Sequence, residues 1–548
     1  MSHQPPPNGQ KAVETATETE RSVLDGAIEL ASFMRTCLGP DSQRKLFVFD
    51  DHYVVTDDVH RIFDEIELPD PTARFVAQHV VAQKEDVGDG SLTALLLAGA
   101  FAEEATDLLD EGLYRATIED GFERAEDAAI AEIARCGRSI EQETRGERLR
   151  AVARTTLASS RPELAEAVTE AAGRIGTDRL ARNRAVDLSD VRFRTEDRNG
   201  EPSVDVVDGV VLDRDAVQEG MRRHIEDARV AIIGGGKKAG SGIEERTLFR
   251  AGGNRGEGRT EVSFTADSPD DVAAFHDAET EQVREQVRRL REVDVDAVFC
   301  TMGISDAGKR LLEDAGITAF RALLETHASL LARTTGATVA MDIADLTEEM
   351  VGTATEISVD GSEETVTVRG GETSTVTTLV LSGPLGEYHE ERERDLRAAI
   401  AVVLDAMGGE PLVPAGGGIE TRMAAAVRRQ ARGVDDRAAL AMEAYADALE
   451  TVPRLLAENA GDDPIDVLTE LRAGADVAFD SAHGGVRDAF PDGPMTTAGV
   501  ERTAVETATH VTTRLLRIDD ILEGKEDEDW ISADEIDPSP VPERDFDY

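Results

Sequence analysis

Residues 86–99 read DVGDGSLTALLLAG, an aspartate held between two glycines directly ahead of an apolar helix. Glycine admits backbone turns that other residues resist, and it lets the main chain approach a ligand closely. The first turn of a helix adds unpaired N–H groups and a partial positive charge, the elements of a phosphate seat. The carboxylate of Asp89 would repel a bare phosphate. A divalent cation reconciles the two, because Mg²⁺ takes one or two carboxylates together with phosphate oxygens. A Gly-Asp-Gly turn also serves as plain helix punctuation, and a motif this short leaves both readings open. The rest of the chain has to decide.

At 548 residues the chain exceeds what a single core accommodates, and roughly three or four domains are expected. The formal charge is −52, yet 40% of residues are hydrophobic, which separates this chain from disordered acidic sequences. Seven lysines stand against 52 arginines. A folded surface this acidic and this poor in lysine suits dense salt, which screens self-repulsion. It argues against nucleic acid and anionic membrane as partners. Cys37, Cys136 and Cys300 are scattered without metal-ligand spacing, and an odd, sparse count points to buried thiols in a reducing compartment. The opening MSHQPPPNGQ is polar, and no window reaches the roughly 18 apolar residues of a membrane span. A soluble, cytoplasmic protein is expected.

Val23, Leu24, Ala27, Ile28, Ala31 and Met34 form one helical stripe, which Gly39-Pro40 stops. KLFVFDDHYVVTDD (45–58) predicts two short strands around a polar turn. Residues 71–84 and 91–137 return to helical spacing, and 149–190 form a smaller helical section. From about 203, VDVVDGVVLD and ARVAIIGGG read as strands. Residues 234–261 are a glycine-rich loop, followed by a helix with Ser268 as N-cap and Pro269 at its first position. DAVFC, SDAGKRLLEDAG, ITAF, LETHASLLARTTG and ATVAM then alternate strand and helix, which predicts a parallel α/β domain. Residues 355–382 are β-rich with a hairpin at VDGSEE. From about 387 to 521 the chain is mainly helical, broken by PLVPAGGGIE and AFDSAHGGVRDAFPDGP. Helical ends thus enclose a connecting section, which encloses a central α/β domain. Motion at the tip of such a nest passes through two hinges.

Several stretches occur in one order: TCLGP (36–40), VVTDD (54–58), EDVGDGSLTALLLAG (85–99), VARTTLASS (152–160) and VDGVVLDRDAVQEGMRRHIEDARVAII (207–233). VDAVFCTMGISDAG (295–308), LVPAGGGIE (412–420), ALETVPRLLAENAGDDPIDVLTELR (448–472) and LLRIDDIL (515–522) follow. Together they resemble a group II chaperonin subunit of the archaeal thermosome type, from about residue 12 to 525. The resemblance implies a multidomain α/β fold. Residues 12–148 and 409–525 would form a mainly helical equatorial ATP-binding domain, 149–206 and 355–408 a small α/β intermediate hinge, and 207–354 an α/β apical substrate-binding domain. Residues 1–11 and 526–548 would be disordered tails, the second acidic. Such subunits build two stacked rings, from copies of themselves or paralogues, around a chamber for unfolded or partly folded proteins. A helical protrusion of the apical domain closes the chamber. SPDDVAAFHDAETEQVREQVRRLRE lies where the return helix of that protrusion belongs, and it equally fits an ordinary amphipathic surface helix.

The resemblance also implies ATP and Mg²⁺ as cofactors. Asp89 matches the family aspartate that binds Mg²⁺ on the nucleotide phosphates. Gly88, Gly90 and the helix start, with the hydroxyls of Ser91 and Thr93, match the phosphate cradle. Gly39 and Pro40 match the turn that approaches the nucleotide, and Gly416, Gly417 and Gly418 the loop near sugar and base. Asp58 matches a second aspartate, which positions the attacking water. Each also has a plain structural reading: LGP is a helix stop and PAGGG a strand-to-helix turn.

Departures from the family pattern matter as much. Asp41, Ser42, Gln43, Arg44 and Lys45 replace Lys-Gly-Met-Asp-Lys, Asp57-Asp58-Val59 replaces Asn-Asp-Gly, and Leu92 replaces a threonine. The Glu-Pro pair near the C-terminus becomes Thr496-Thr497. Counted without gaps from TTLVLSG, the catalytic aspartate falls on Ala398, and alanine cannot accept a proton. Asp395 lies about one helical turn earlier, a shift of roughly 5 Å, more than in-line attack tolerates. Slow hydrolysis is expected, since loss of a water-activating group costs about 10²–10⁴ in rate. His52, His60 and His483 lack partner spacing and read as surface residues. Two functions therefore stand: a folding-chamber subunit, and a structural or regulatory subunit that hydrolyses little and co-assembles with active paralogues. A phosphotransferase using Asp58 and Asp89 would need an acceptor pocket that the sequence does not suggest.

Overall fold

The computed structural model describes residues 16–40, 42–49, 53–140, 144–158, 162–181, 188, 191–197, 203–234, 269–370, 374–383 and 387–519. The two expected tails, nearly all of the glycine-rich loop and Ser268 lie outside the described residues. The first section runs through α1 (Ala16–Met34), β1 (Lys45–Val48), β2 (Tyr53–Thr56), α2 (Val59–Glu65), α3 (Pro71–Val87), α4 (Ser91–Asp110) and α5 (Arg115–Cys136). Next come α6 (Arg145–Thr156), α7 (Pro162–Ala181), β3 (Val191–Asp197), β4 (Ser203–Leu212) and β5 (His224–Ile233). The middle continues with α8 (Pro269–Glu292), β6 (Ala297–Cys300), α9 (Asp306–Asp314), β7 (Thr318–Phe320), α10 (Glu325–Thr335), β8 (Gly352–Asp360), β9 (Thr365–Arg369) and β10 (Thr377–Gly383). Then follow α11 (Glu387–Gly408), β11 (Leu412–Pro414), α12 (Gly418–Ala431), α13 (Ala438–Leu449), α14 (Thr451–Ala460) and α15 (Pro464–Ala473). β12 (Val477–Phe479), β13 (Val486–Asp488), β14 (Met495–Thr497) and α16 (Ala498–Leu516) close the described chain.

The two ends of the sequence share one core. Leu24 of α1, Val76 of α3, Leu95 of α4 and Phe122 of α5 pack in the same cluster as Met423 of α12, Tyr445 of α13 and Val505 of α16. Tyr445 is its centre. Its ring stacks on Phe101 at 4.1 Å and meets Phe122 edge-on at 5.3 Å, and its hydroxyl lies 2.7 Å from Thr509 Oγ1. Each fully buried Leu or Phe of such a cluster contributes about 1.5–3 kcal/mol. A buried ion network adds geometry. Glu450, at the junction of α13 and α14, receives a bidentate pair from Arg428 of α12 (2.9 Å each) and another from Arg472 of α15 (Nε at 2.8 Å). Burial would raise the Glu450 carboxyl, but these hydrogen bonds outweigh it and hold the group below its ordinary range.

A second core joins α6 and α7 (Val152, Val168) to β10 (Leu379, Leu381) and α11 (Leu396, Ile400, Val403). β10 pairs parallel with β3 and antiparallel with β4. At Gly209, β4 leaves β10 and pairs with β9 instead, so one strand belongs to both halves of an eight-stranded sheet, order β3-β10-β4-β9-β8-β5-β6-β7. Alternation along β5 serves both faces of that sheet. Val230 and Ile232 face one cluster with Phe299, Phe320 and α10, whereas Ala231 and Ile233 face another with α8 and α9.

The strand-helix alternation predicted a parallel sheet, and the sheet is mixed. β5, β6 and β7 are parallel, but the β8–β9 hairpin adds antiparallel to β5. ATVAM makes only an isolated parallel bridge, Ile233 to Ala340. β4 runs through position 206/207 and β8 through 354/355, so continuous strands cross both places where the sequence suggested boundaries. In α8, Val283, Val287 and Leu290 are buried against the sheet at helical spacing, so its C-terminal half packs as an amphipathic helix.

Cys37, Cys136 and Cys300 are all buried and unbridged, and burial pushes each thiol up. Thiolate is the reactive form. Iodoacetamide at neutral pH is therefore expected to leave the native protein unmodified and to add three groups after denaturation, read by intact mass. No helix among the described residues is long and apolar enough to cross a membrane.

Candidate nucleotide site

The GDG turn is built on two left-handed glycines, Gly88 (φ +85°) and Gly90 (φ +87°). The second is the N-cap of α4, whose first bond runs from the Ala94 N–H to the Gly90 carbonyl (2.9 Å). Asp89 Oδ1 accepts from the Gly90 N–H at 2.6 Å, which fixes the carboxylate against the turn. A Cβ on Gly88 would lie 2.8 Å from the Ala401 Cβ and 3.3 Å from the Ala398 carbonyl oxygen. Glycine is therefore what lets α11 lie against this turn, and Ala398 is one of the residues that meet it.

α2 brings the second aspartate. Asp58 caps that helix by accepting from the Arg61 N–H at 2.9 Å, and two residues later His60 Nε2 stands 3.3 Å from Ser91 Oγ. The start of α2 is thereby held at the start of α4. His60 is half-buried in this contact, a correction to its reading as a surface residue. His483 is exposed, in keeping with its surface reading, although its Nδ1 lies 3.1 Å from both oxygens of buried Asp480, an aspartate also bound by Arg487 at 3.0 Å. His52 lies outside the described residues. Neither contact was legible from spacing, because each joins a histidine to a partner brought by a turn.

The two remaining turns rest on opposite ends of α14. Near its C-terminal end, Asn459 Nδ2 donates to the carbonyls of Arg35 (3.0 Å) and Leu38 (2.9 Å), anchoring the turn that holds Gly39 and Pro40. Near its N-terminal end, a Cβ on Gly417 would lie 2.4 Å from the Pro453 Cβ. Gly416 and Gly418 lie as tightly against β12, with Phe479 and Val477 carbonyl oxygens 2.3 and 2.2 Å from where their Cβ atoms would be. The close approach these three glycines permit is thus, in the first instance, to the chain itself. Thr93 lies half-buried on the first turn of α4.

Asp395 sits on α11 one turn before Ala398, with Arg392 Nη1 4.0 Å from its carboxylate. The N-terminal part of α11 is tied to the neighbourhood of Asp58 by Arg44–Glu391 (3.5 Å) and Arg61–Glu390 (3.8 Å). Burial pushes Glu391 up to about 7, against the pull of Arg44 and helped by Asp395 and Asp57. Ser42 and Asp57, two of the departures from the expected motifs, are hydrogen-bonded to each other.

Two acidic residues that sequence reasoning passed over belong to this region. Glu420, in the first turn of α12, and Glu501, in the first turn of α16, are only 3% and 8% exposed. Burial pushes Glu420 up to about 7, and it pushes Glu501 well above the usual range with help from the charges of Glu420 and Asp89. Asp89, Glu420 and Glu501 therefore share one negative field. That field would favour a cation at Asp89, although no three such side chains among the described residues have the spacing of a metal cage. The only sequence signal was an acid at a helix start, which is too common to single out.

The family model described as the TCP-1/cpn60 chaperonin family matches residues 30–526, and the chain belongs to that family, as a group II subunit of thermosome type. Thermosome subunit 3 of Haloferax volcanii is 33% identical over 524 residues, covering 92% of this chain and 96% of its own. The thermosome subunit of Methanopyrus kandleri is 30% identical over 522 residues, 93% of this chain and 92% of its own. Thermosome subunit alpha of Halobacterium salinarum is 30% identical over 501 residues, 90% and 86% of the two chains.

Proposed function

We propose that this chain is an ATP-responsive chaperonin subunit that encloses non-native protein in a double ring of its own or paralogous copies and hydrolyses ATP slowly. Assistance to protein folding follows from the family. The domain scheme goes with it: residues 12–148 and 409–525 as the equatorial ATP-binding part, 149–206 and 355–408 as the hinge, and 207–354 as the substrate-binding part. Asp89 would carry Mg²⁺, the N–H groups at Gly90 and the start of α4 would face phosphate, and Asp58 would orient water. The bound metal would supply charge neutralisation at the phosphates. The observation that carries slow turnover is the apposition of Ala398 to Gly88, which puts a residue without a proton acceptor where α11 meets the phosphate turn. The same observation favours a second reading, a regulatory subunit that co-assembles with active paralogues.

Mg·ATP is expected to raise the melting temperature of the protein in molar KCl, since a ligand at 100 times its Kd stabilises by about 2.7 kcal/mol. Asp89→Asn is expected to remove that shift. Electron microscopy of the same samples should show rings, formed alone in the first reading and only with a paralogue in the second. Absence of rings in both conditions, with no nucleotide shift, would sink the proposal.

A further inference from the structure

The described part of this chain treats its buried glutamates in two different ways. Glu132, 4% exposed, is met by Arg135, Arg422 and Arg429, and Glu450, fully buried, is met by Arg428 and Arg472. Hydrogen bonds from arginine outweigh burial at both and hold them below the ordinary carboxylate range. Glu420 and Glu501 are buried to the same degree and have no ion-pair partner among the described residues. One oxygen of each, Oε2, is also buried without a hydrogen-bond donor. Their charges act on one another, and that of Asp89 adds to them. A buried ionised carboxylate without a counter-charge is costly, and here two that repel one another each keep one oxygen unsatisfied.

We infer that Glu420 and Glu501 together hold a weakly hydrated monovalent cation of potassium size, in a buried site behind the GDG turn and distinct from a metal on Asp89. The chemistry selects the charge and size. Mg²⁺ gives up its water reluctantly and takes near-octahedral oxygen sets, whereas these oxygens are closed to solvent. No group of three His, Cys, Asp or Glu side chains among the described residues has the spacing of a metal cage. Two carboxylate oxygens closed to solvent suit a larger ion that sheds its shell easily. A chain of net charge −52 needs a salt-rich medium, so such an ion would be abundant. The cation gives the two helix starts, α12 and α16, the positive charge that arginine gives at Glu132 and Glu450.

This inference does not rest on the nucleotide reading, and its test uses none. The full chain is melted in a calorimeter at constant molar ionic strength while KCl replaces choline chloride. The wild-type protein is expected to gain melting temperature in a saturable way, and Glu501→Gln to lose that saturable part. Glu501→Lys should melt high in choline and gain nothing from potassium, because its ammonium takes the place of the ion. A crystal grown with thallium(I) should show a heavy-atom peak between the two carboxylates, which covers the case in which a variant does not fold. An equal potassium response in wild type and both variants, or an absent thallium peak, overturns the site and leaves a shared proton as the account of the pair. A potassium response without a Mg·ATP shift keeps the site and removes the nucleotide reading.

Discussion

Ala398→Asp is expected to raise steady-state phosphate release in molar KCl with Mg·ATP by about 10²–10⁴-fold. The position is half-buried, with its carbonyl oxygen against Gly88, and a carboxylate there would put a proton acceptor beside the GDG turn. The gain should appear in kcat with the nucleotide concentration for half-saturation little changed, because no group placed in nucleotide binding is altered. Asp395→Ala serves as the companion measurement. If the wild type turns over slowly and Asp395→Ala changes nothing, the site lacks its base. If the wild type is fast and Asp395→Ala abolishes turnover, α11 reaches the turn with a different residue in the working state, and slow hydrolysis is wrong.

The second large effect lies in the core. Arg428→Ala is expected to destabilise the helical part by about 3–5 kcal/mol, because it leaves a fully buried carboxylate with half of its donors. The pH dependence gives the loss a signature. In the wild type the Glu450 pKa lies below the ordinary value. Its contribution is therefore present above the unfolded-state pKa, near 4.3 in model peptides, and disappears only as pH falls through the lower folded value. Without Arg428, half of the opposing hydrogen bonds are lost, and burial, the largest single influence on the group, is expected to raise the folded pKa above the unfolded one. The variant then does best in acid and loses stability as pH climbs through its raised pKa. Calorimetry between pH 5 and 8 should show the gap between variant and wild type widening upward. A gap that is constant or narrows with pH would mean that Arg428 acts through packing alone.

Most elements were legible in the sequence for plain reasons. The stripe from Val23 to Met34, the Gly39-Pro40 stop and the VDGSEE hairpin each depend on neighbours within a few residues, and all three occur in the structure. The mixed sheet was not legible. β8 and β9 join β5 from more than a hundred residues away, and strand-helix alternation carries no information on a hairpin added to the far side. The site divides in the same way. Gly88, Asp89 and Gly90 announce a turn by their identity. The contact of His60 with Ser91 and the pairing of Glu420 with Glu501 exist only after several helix starts have been gathered by the shared core.

One helix also sets a length. α14 supports the Gly417 turn at Pro453 and the Leu38–Gly39 turn at Asn459. The separation of these two turns is thus a count of residues, six steps of about 1.5 Å, or roughly 9 Å along the axis. A helix is stiff in length and strict in phase. One inserted residue would lengthen the gauge by about 1.5 Å and swing Asn459 by roughly 100° around it, away from the carbonyls it holds. A nucleotide held by both turns, as proposed, would be measured against a rigid rule.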